Sequence, residues 1–131
     1  MSGKILTAAI LGFIAAFLIY NSIVLFPKEK AFTSLKPREF YEMMKSEDVF
    51  VIDVHVPEQK HVEGTDLWIP YDRIEEFVDL LPKDKNAKIL LYCRSGFMSK
   101  IAASKLAEMG YKNLYVLEGG ILAWQREGLP Y

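Results

Sequence analysis

The sequence has little cysteine and little histidine: Cys93 is the one thiol in 131 residues, and His55 and His61 are the two imidazoles. A lone cysteine excludes an internal disulfide and leaves the redox compartment open. Neither histidine stands at metal-ligand spacing from a second His or Cys, so no metal site is expected, and no cofactor. An excess of positive charge is missing too. Sixteen Lys and Arg face seventeen Asp and Glu, a net charge of −1, which removes the bulk electrostatic case for nucleic acid. There is no Gly/Ser-rich linker and no internal repeat, and the length suits one globular domain.

Apolar residues are abundant, 51% of the chain, and the excess sits at the start. Ile5 to Phe26 is a run of 22 residues without a charged side chain. As a helix it is about 33 Å long, enough to cross a bilayer. It exceeds the apolar core of a signal peptide, and no small-x-small cleavage site comes after it. It is also too apolar on all sides for a buried helix in so small a chain. The expectation is an uncleaved single-pass anchor touching lipid through residues 5–26, with Tyr20, Asn21 and Ser22 tolerable near an interface. Residues 1–30 then form anchor and connector, and residues 31–131 the soluble head, which carries 13 basic against 16 acidic side chains, a net of −3. That balance does not draw the head to anionic lipid. The side of the membrane stays open. Lys28, Lys30, Lys36 and Arg38 outnumber Lys4, which places the head in the cytoplasm; an anchor so near the terminus often exports the chain beyond it.

In the head, Pro37 to Lys45 reads as a helix, with Pro37 at its first position and an apolar stripe of Phe40, Met43 and Met44. Val49 to Val54 reads as a strand buried on both faces, broken by Asp53, a carboxylate that needs hydrogen-bond partners if buried. Pro57 to Asp66 is loop-like and Leu67 to Pro70 a short strand. Asp72-Arg73-Ile74-Glu75 has the form of a capping box opening a helix through Leu81. Lys88 to Tyr92 is an apolar strand, Ser99 to Met109 a helix stopped by Gly110, Leu114 to Leu117 a strand, and Ile121 to Arg126 a closing helix. Strands alternating with helices predict an α/β fold with a mainly parallel sheet covered on both faces.

Cys93 falls where a strand ends and a helix begins, the edge of such a sheet where ligand sites gather. Loop amides and the positive helix end there favour a thiolate, the nucleophilic form. A buried structural cysteine is the bland alternative. Arg94 beside the thiol and the turn-permitting Ser95-Gly96 weigh toward chemistry.

Four pieces in this order resemble a rhodanese-like domain, the sulfurtransferase module, over about residues 34–131. They are Val51-Ile52-Asp53-Val54 with Pro57-Glu58; Ile69-Pro70 after Gly64; Leu91-Tyr92-Cys93-Arg94-Ser95-Gly96; and Leu117-Glu118-Gly119-Gly120-Ile121-Leu122-Ala123-Trp124, ending in Gly128-Leu129-Pro130. The resemblance implies a three-layer sandwich around a mainly parallel sheet, here preceded by one transmembrane helix. It implies a catalytic Cys93 that takes a sulfane sulfur as a persulfide and passes it to a thiophile, covalent catalysis of the ping-pong type. The amides of Arg94, Ser95, Gly96, Phe97, Met98 and Ser99 would hold the outer sulfur, and Arg94 would attract an anionic donor. Asp53 and His55 would support the site. Partners would be a small sulfur donor and a thiol or cyanide-like acceptor, with a sulfur-carrier protein among the candidates.

Three positions depart from the family pattern. His55 stands where Arg is frequent, His61-Val62-Glu63-Gly64 replaces His-Ile-Pro-Gly, and Met98 takes a loop position that is cationic or hydroxylated in thiosulfate-using members. A polysulfide, persulfide or carrier-protein thiol is therefore the expected donor ahead of thiosulfate. Cys-based phosphatases of the same fold need Arg at the end of C-x5-R, where this chain has Ser99, so no clamp for phosphate exists. A non-catalytic or redox-sensing binding module is the second class; the intact Cys93 weighs against it. Sulfur transfer requires inward-facing amides and a sulfhydryl that a donor can reach.

Overall fold

A computed structural model describes residues 3–25, 29–46 and 48–131. The chain divides into two compact units, Met1–Lys30 and Ala31–Tyr131. In the first, helix α1 (Gly3–Leu25) is apolar on every side; its stretch Gly3–Ser22 is long and apolar enough to cross a membrane, and its described side chains are almost all exposed. The far boundary expected for the anchor, Phe26, lies outside the described residues, as do Pro27 and Lys28 of the connector.

The second unit is built on β1 (Thr33–Leu35), β2 (Phe50–Asp53), β3 (Leu67–Trp68), β4 (Lys88–Tyr92) and β5 (Asn113–Leu117). They pair in the order β1-β5-β4-β2-β3, every neighbour parallel. Helices α2 (Pro37–Ser46), α3 (Phe97–Glu108) and α4 (Gly120–Arg126) cover it.

Strand alternation decides which face each side chain meets. Ile52, Val54, Ile89, Leu91, Leu114 and Val116 point to one face and pack with Ala102, Ala103 and Leu106 of α3. Val51, Leu90, Tyr92 and Leu117 point to the other, where Phe40 of α2 and Trp124 of α4 meet them. Phe40 touches Tyr92 and Trp124 edge-on, with ring centroids 6.5 and 6.4 Å apart. The alanines of α3 let that helix lie close to the sheet. Cys93 shares the parity of Ile89 and Leu91 and belongs to the α3 face. Asp53 shares the parity of Val51.

Two elements differ from expectation. The segment after Arg73 is not a capped α-helix but a 3-10 stretch, Ile74–Leu80, interrupted at Phe77 (φ −112°, ψ 18°). Arg73, not Asp72, occupies the cap, with no side-chain hydrogen bond. The acidic residues that would reach back are taken elsewhere: Glu75 pairs with Lys105 and Glu76 with Arg73. Strand β1 was not expected, since three residues carry no periodicity; it forms because the edge of β5 leaves a row of backbone groups to be paired (Thr33 opposite Tyr115, Leu35 opposite Leu117). Helix α3 also starts two residues earlier than the pattern indicates, at Phe97.

Candidate active site

Lys88 to Tyr92 forms a central strand because its run of Ile89, Leu90, Leu91 and Tyr92 is buried on both faces. Cys93 comes at once after it. Gly96 then turns the chain in a left-handed conformation, φ 101°, and caps the N-terminus of α3. The turn brings two N–H groups onto the sulfur: Gly96 N donates to Cys93 Sγ at 3.1 Å and Ser99 N at 3.4 Å. The second is a first-turn amide of α3, a donor with no partner inside the helix. The Ser99 hydroxyl, fully buried, lies 3.5 Å from the sulfur and donates to Gly96 O at 3.0 Å. Two amide dipoles, one of them from the first turn of α3, thus point their positive ends at this atom.

Helix α4 holds the loop from behind. Ile121 N donates to Cys93 O and Leu122 N to Arg94 O, each at 3.0 Å. A trans peptide points its N–H opposite to its C=O. Turning those carbonyls toward α4 therefore turns the N–H groups of Arg94 and Ser95 away from α4. The grip needs Gly120. A Cβ there would stand 2.4 Å from Arg94 C and 2.6 Å from Cys93 O, and its φ is +60°.

Cys93 is 1% exposed, whereas Arg94, Ser95 and Phe97 are exposed and Met98 is half-buried. Sulfur transfer was expected to need a sulfhydryl that a donor can reach; here the loop amides, Ser99 and α3 surround Cys93, which is buried. Both imidazoles bond elsewhere. Asp53 and His55, expected to support the site, belong to a neighbouring cluster on the same carboxyl edge.

That cluster centres on Asp53, fully buried at the end of β2 and level with Tyr92. Its carboxylate accepts from His55 N at 3.0 Å, from the Gln59 amide at 3.3 and 3.4 Å, and from His61 Nδ1 at 2.8 Å. His61 Nε2 is 2.8 Å from Glu58 Oε1. Burial opposes protonation of His61, but hydrogen bonds to Glu58 and Asp53 and their negative charge outweigh it, and the net effect is upward from the ordinary histidine value. Burial also pushes the Tyr92 phenol far upward; its hydroxyl takes Val62 N at 3.0 Å and meets Thr65 Oγ1 at 2.8 Å. The His55 ring donates to Pro57 O at 2.7 Å instead of reaching the thiol. Gln59, Tyr92 and Gly120 carry structural duties at this edge that sequence reasoning did not assign; the glycine pair after β5 was the one visible signal. Among the described residues no group of three His, Cys, Asp or Glu could hold a metal ion.

A parallel α/β sheet with a thiol set on inward amides at its carboxyl edge defines a class of cysteine-centred domains. Comparison with known proteins names the family: the Rhodanese-like domain matches residues 36–127. A sulfurtransferase of Allochromatium vinosum is 36% identical over 87 residues, covering 65% of this chain and 79% of that protein. Thiosulfate sulfurtransferase GlpE of Actinobacillus succinogenes is 32% identical over 103 residues, 76% of this chain and 90% of that one. The tRNA uridine(34) hydroxylase of Hamiltonella defensa is 34% identical over 99 residues, but these are 28% of its length. A solved rhodanese-related protein from Thermoplasma volcanium superposes with a TM-score of 0.64 at 28% identity, covering 76% of this chain and 96% of that one. The chain belongs to the rhodanese-like family, and its relatives include sulfurtransferases.

Proposed function

We propose that the chain is a sulfurtransferase in which Cys93 carries the sulfur, held near a membrane by residues 1–30 and acting through the domain of residues 31–131. The observation that carries this reading is the convergence of Gly96 N and Ser99 N on Cys93 Sγ. The Cys93 thiolate attacks the sulfane sulfur of a polysulfide or persulfide. The S–S bond of the donor breaks, and the shortened donor leaves with the electron pair. The outer sulfur of the resulting Cys93 persulfide is an anion, stabilised by the amides from Arg94 to Ser99. An acceptor thiolate then attacks that sulfur and the Cys93 thiolate is regenerated. Arg94, exposed beside the thiol, attracts an anionic donor. Phe97 and Met98 make the rest of the rim apolar, which favours polysulfide or an organic persulfide over thiosulfate. Cys93, 1% exposed, meets a donor only when the loop opens, so a gating step precedes attack.

Intact-mass measurement after polysulfide treatment tests this. A stoichiometric gain of one sulfur is expected, absent in Cys93→Ser, with slower turnover of thiosulfate than of polysulfide. The same burial also favours a second reading, a non-catalytic binding module; the redox-sensing form of that reading needs a thiol an oxidant can reach. No adduct on the folded, reduced protein would select that reading, and equal or faster turnover of thiosulfate would remove the donor preference.

A further inference from the structure

The 55–61 segment, free of regular secondary structure, comes after β2 on the edge that carries Cys93. Its charged attachments converge on His61. Nδ1 lies 2.8 Å from Asp53 Oδ2 and Nε2 lies 2.8 Å from Glu58 Oε1. A neutral imidazole has one N–H and one lone pair. It can satisfy one of these carboxylates and must set its lone pair against the other. Both contacts hold together only when the ring carries two protons.

The two carboxylates are unequal. Asp53 is 0% exposed, so leaving it without its donor is costly; Glu58 is 53% exposed and can turn to water. Loss of the ring proton therefore keeps the Asp53 contact and releases Glu58. The other groups on this edge do not replace it. Tyr131 donates to Lys60 O at 2.9 Å, within electrostatic reach of Asp53 and Arg94, and its phenol is shifted upward, chiefly by burial. Tyr92 faces Asp53 from β4 and is likewise pushed upward. His55 is engaged with Pro57 O. Tyr131 thus ties the segment, at Lys60, to a ring that feels the charge of Arg94, the residue next to Cys93.

We infer that His61 is a positioning residue that works as an imidazolium, clasping Glu58 to the buried Asp53 and so holding the 55–61 segment, which carries Tyr131 on Lys60 O, in the shape that admits an anionic sulfur donor to the edge where Arg94 stands. This rests on the proposed sulfur transfer for its kinetic consequence, and on the bond geometry alone for the clasp.

Glu58→Gln separates the possibilities, because an amide donates to a neutral ring nitrogen as readily as it accepts from a protonated one. In the full-length protein, nitrogen-resolved imidazole spectra should show both His61 ring nitrogens protonated at neutral pH in the wild type, with the titration displaced downward in Glu58→Gln. For the wild type, kcat/KM with polysulfide should fall about fivefold across the His61 titration, the worth of one partly exposed charged pair, and this step should vanish in Glu58→Gln. Protection of the amides of residues 55–61, with exchange corrected for its intrinsic rise with pH, should fall over the same range in the wild type alone. A singly protonated His61 at neutral pH, or identical pH profiles for the two proteins, overturns the inference. If no donor is turned over by either protein, the proposed function falls, and the spectra and exchange still decide the clasp: amide protection, corrected for intrinsic exchange, that stays constant through the titration removes it.

Discussion

Single atoms decide most of what this site can do. Gly120 leaves room for α4 to press its first amides against the carbonyls of Cys93 and Arg94, and any side chain there collides with backbone that has no way to yield. Gly120→Ala should destabilise the protein by about 2 kcal/mol or more, from left-handed strain plus the collision, read as a lowered thermal midpoint. In the fraction still folded, sulfur transfer should fall by roughly tenfold, because the loop amides lose their aim. A variant with wild-type turnover would show that α4 does not set the loop. His61 makes a second residue-scale prediction. Its folded-state value is raised, so its stabilising contribution is complete below its unfolded value near 6.5 and is lost as pH rises through the folded value. The urea midpoint of the wild type should exceed that of His61→Gln most at low pH, with the gap closing as pH rises. A gap that widens with pH would contradict the bonding described for the ring.

Among the elements, most were legible in the sequence, down to the two residues of β3, whereas β1 and the 3-10 character of Ile74–Leu80 were not. β2 and β4 announce themselves because a central parallel strand buries both faces, which leaves no polar alternation to confuse the reading. α2 is equally plain, from Pro37 at its start and Phe40 on its buried stripe. The capping box at Asp72 misled because its pattern describes local options, whereas Glu75 and Glu76 found partners at Lys105 and Arg73. β1 has three residues and exists only as the partner of β5. At the site, the loop from Cys93 to Ser99 could be located from the strand-to-helix join. The closure over the sulfur could not, since it depends on how tightly α3 and α4 approach from opposite faces of the sheet. The Asp53–His61–Glu58 bonding was also hidden: it joins residues three and eight apart through side chains, in a segment without periodicity.

For the whole molecule, the apolar helix α1 and the rhodanese-like domain make separate demands. If residues 5–26 anchor the chain, the full-length protein should remain with membranes after an alkaline carbonate wash, and a reporter fused after Tyr131 should give signal on one side only. Release by the wash would end the anchor proposal and leave the domain chemistry untouched. The order of apolar runs, turn residues and the lone cysteine by itself determined the α/β class and the place of the thiol, because strand burial and strand-to-helix joins are written in neighbouring residues; the family came from the resemblance of four motifs. Only the tertiary structure decided that the thiol is buried, that α4 bonds the carbonyls of Cys93 and Arg94, and that His61 joins two carboxylates. Those outcomes depend on packing and hydrogen bonds between segments distant in the chain, where sub-ångström differences in approach separate a contact from a collision.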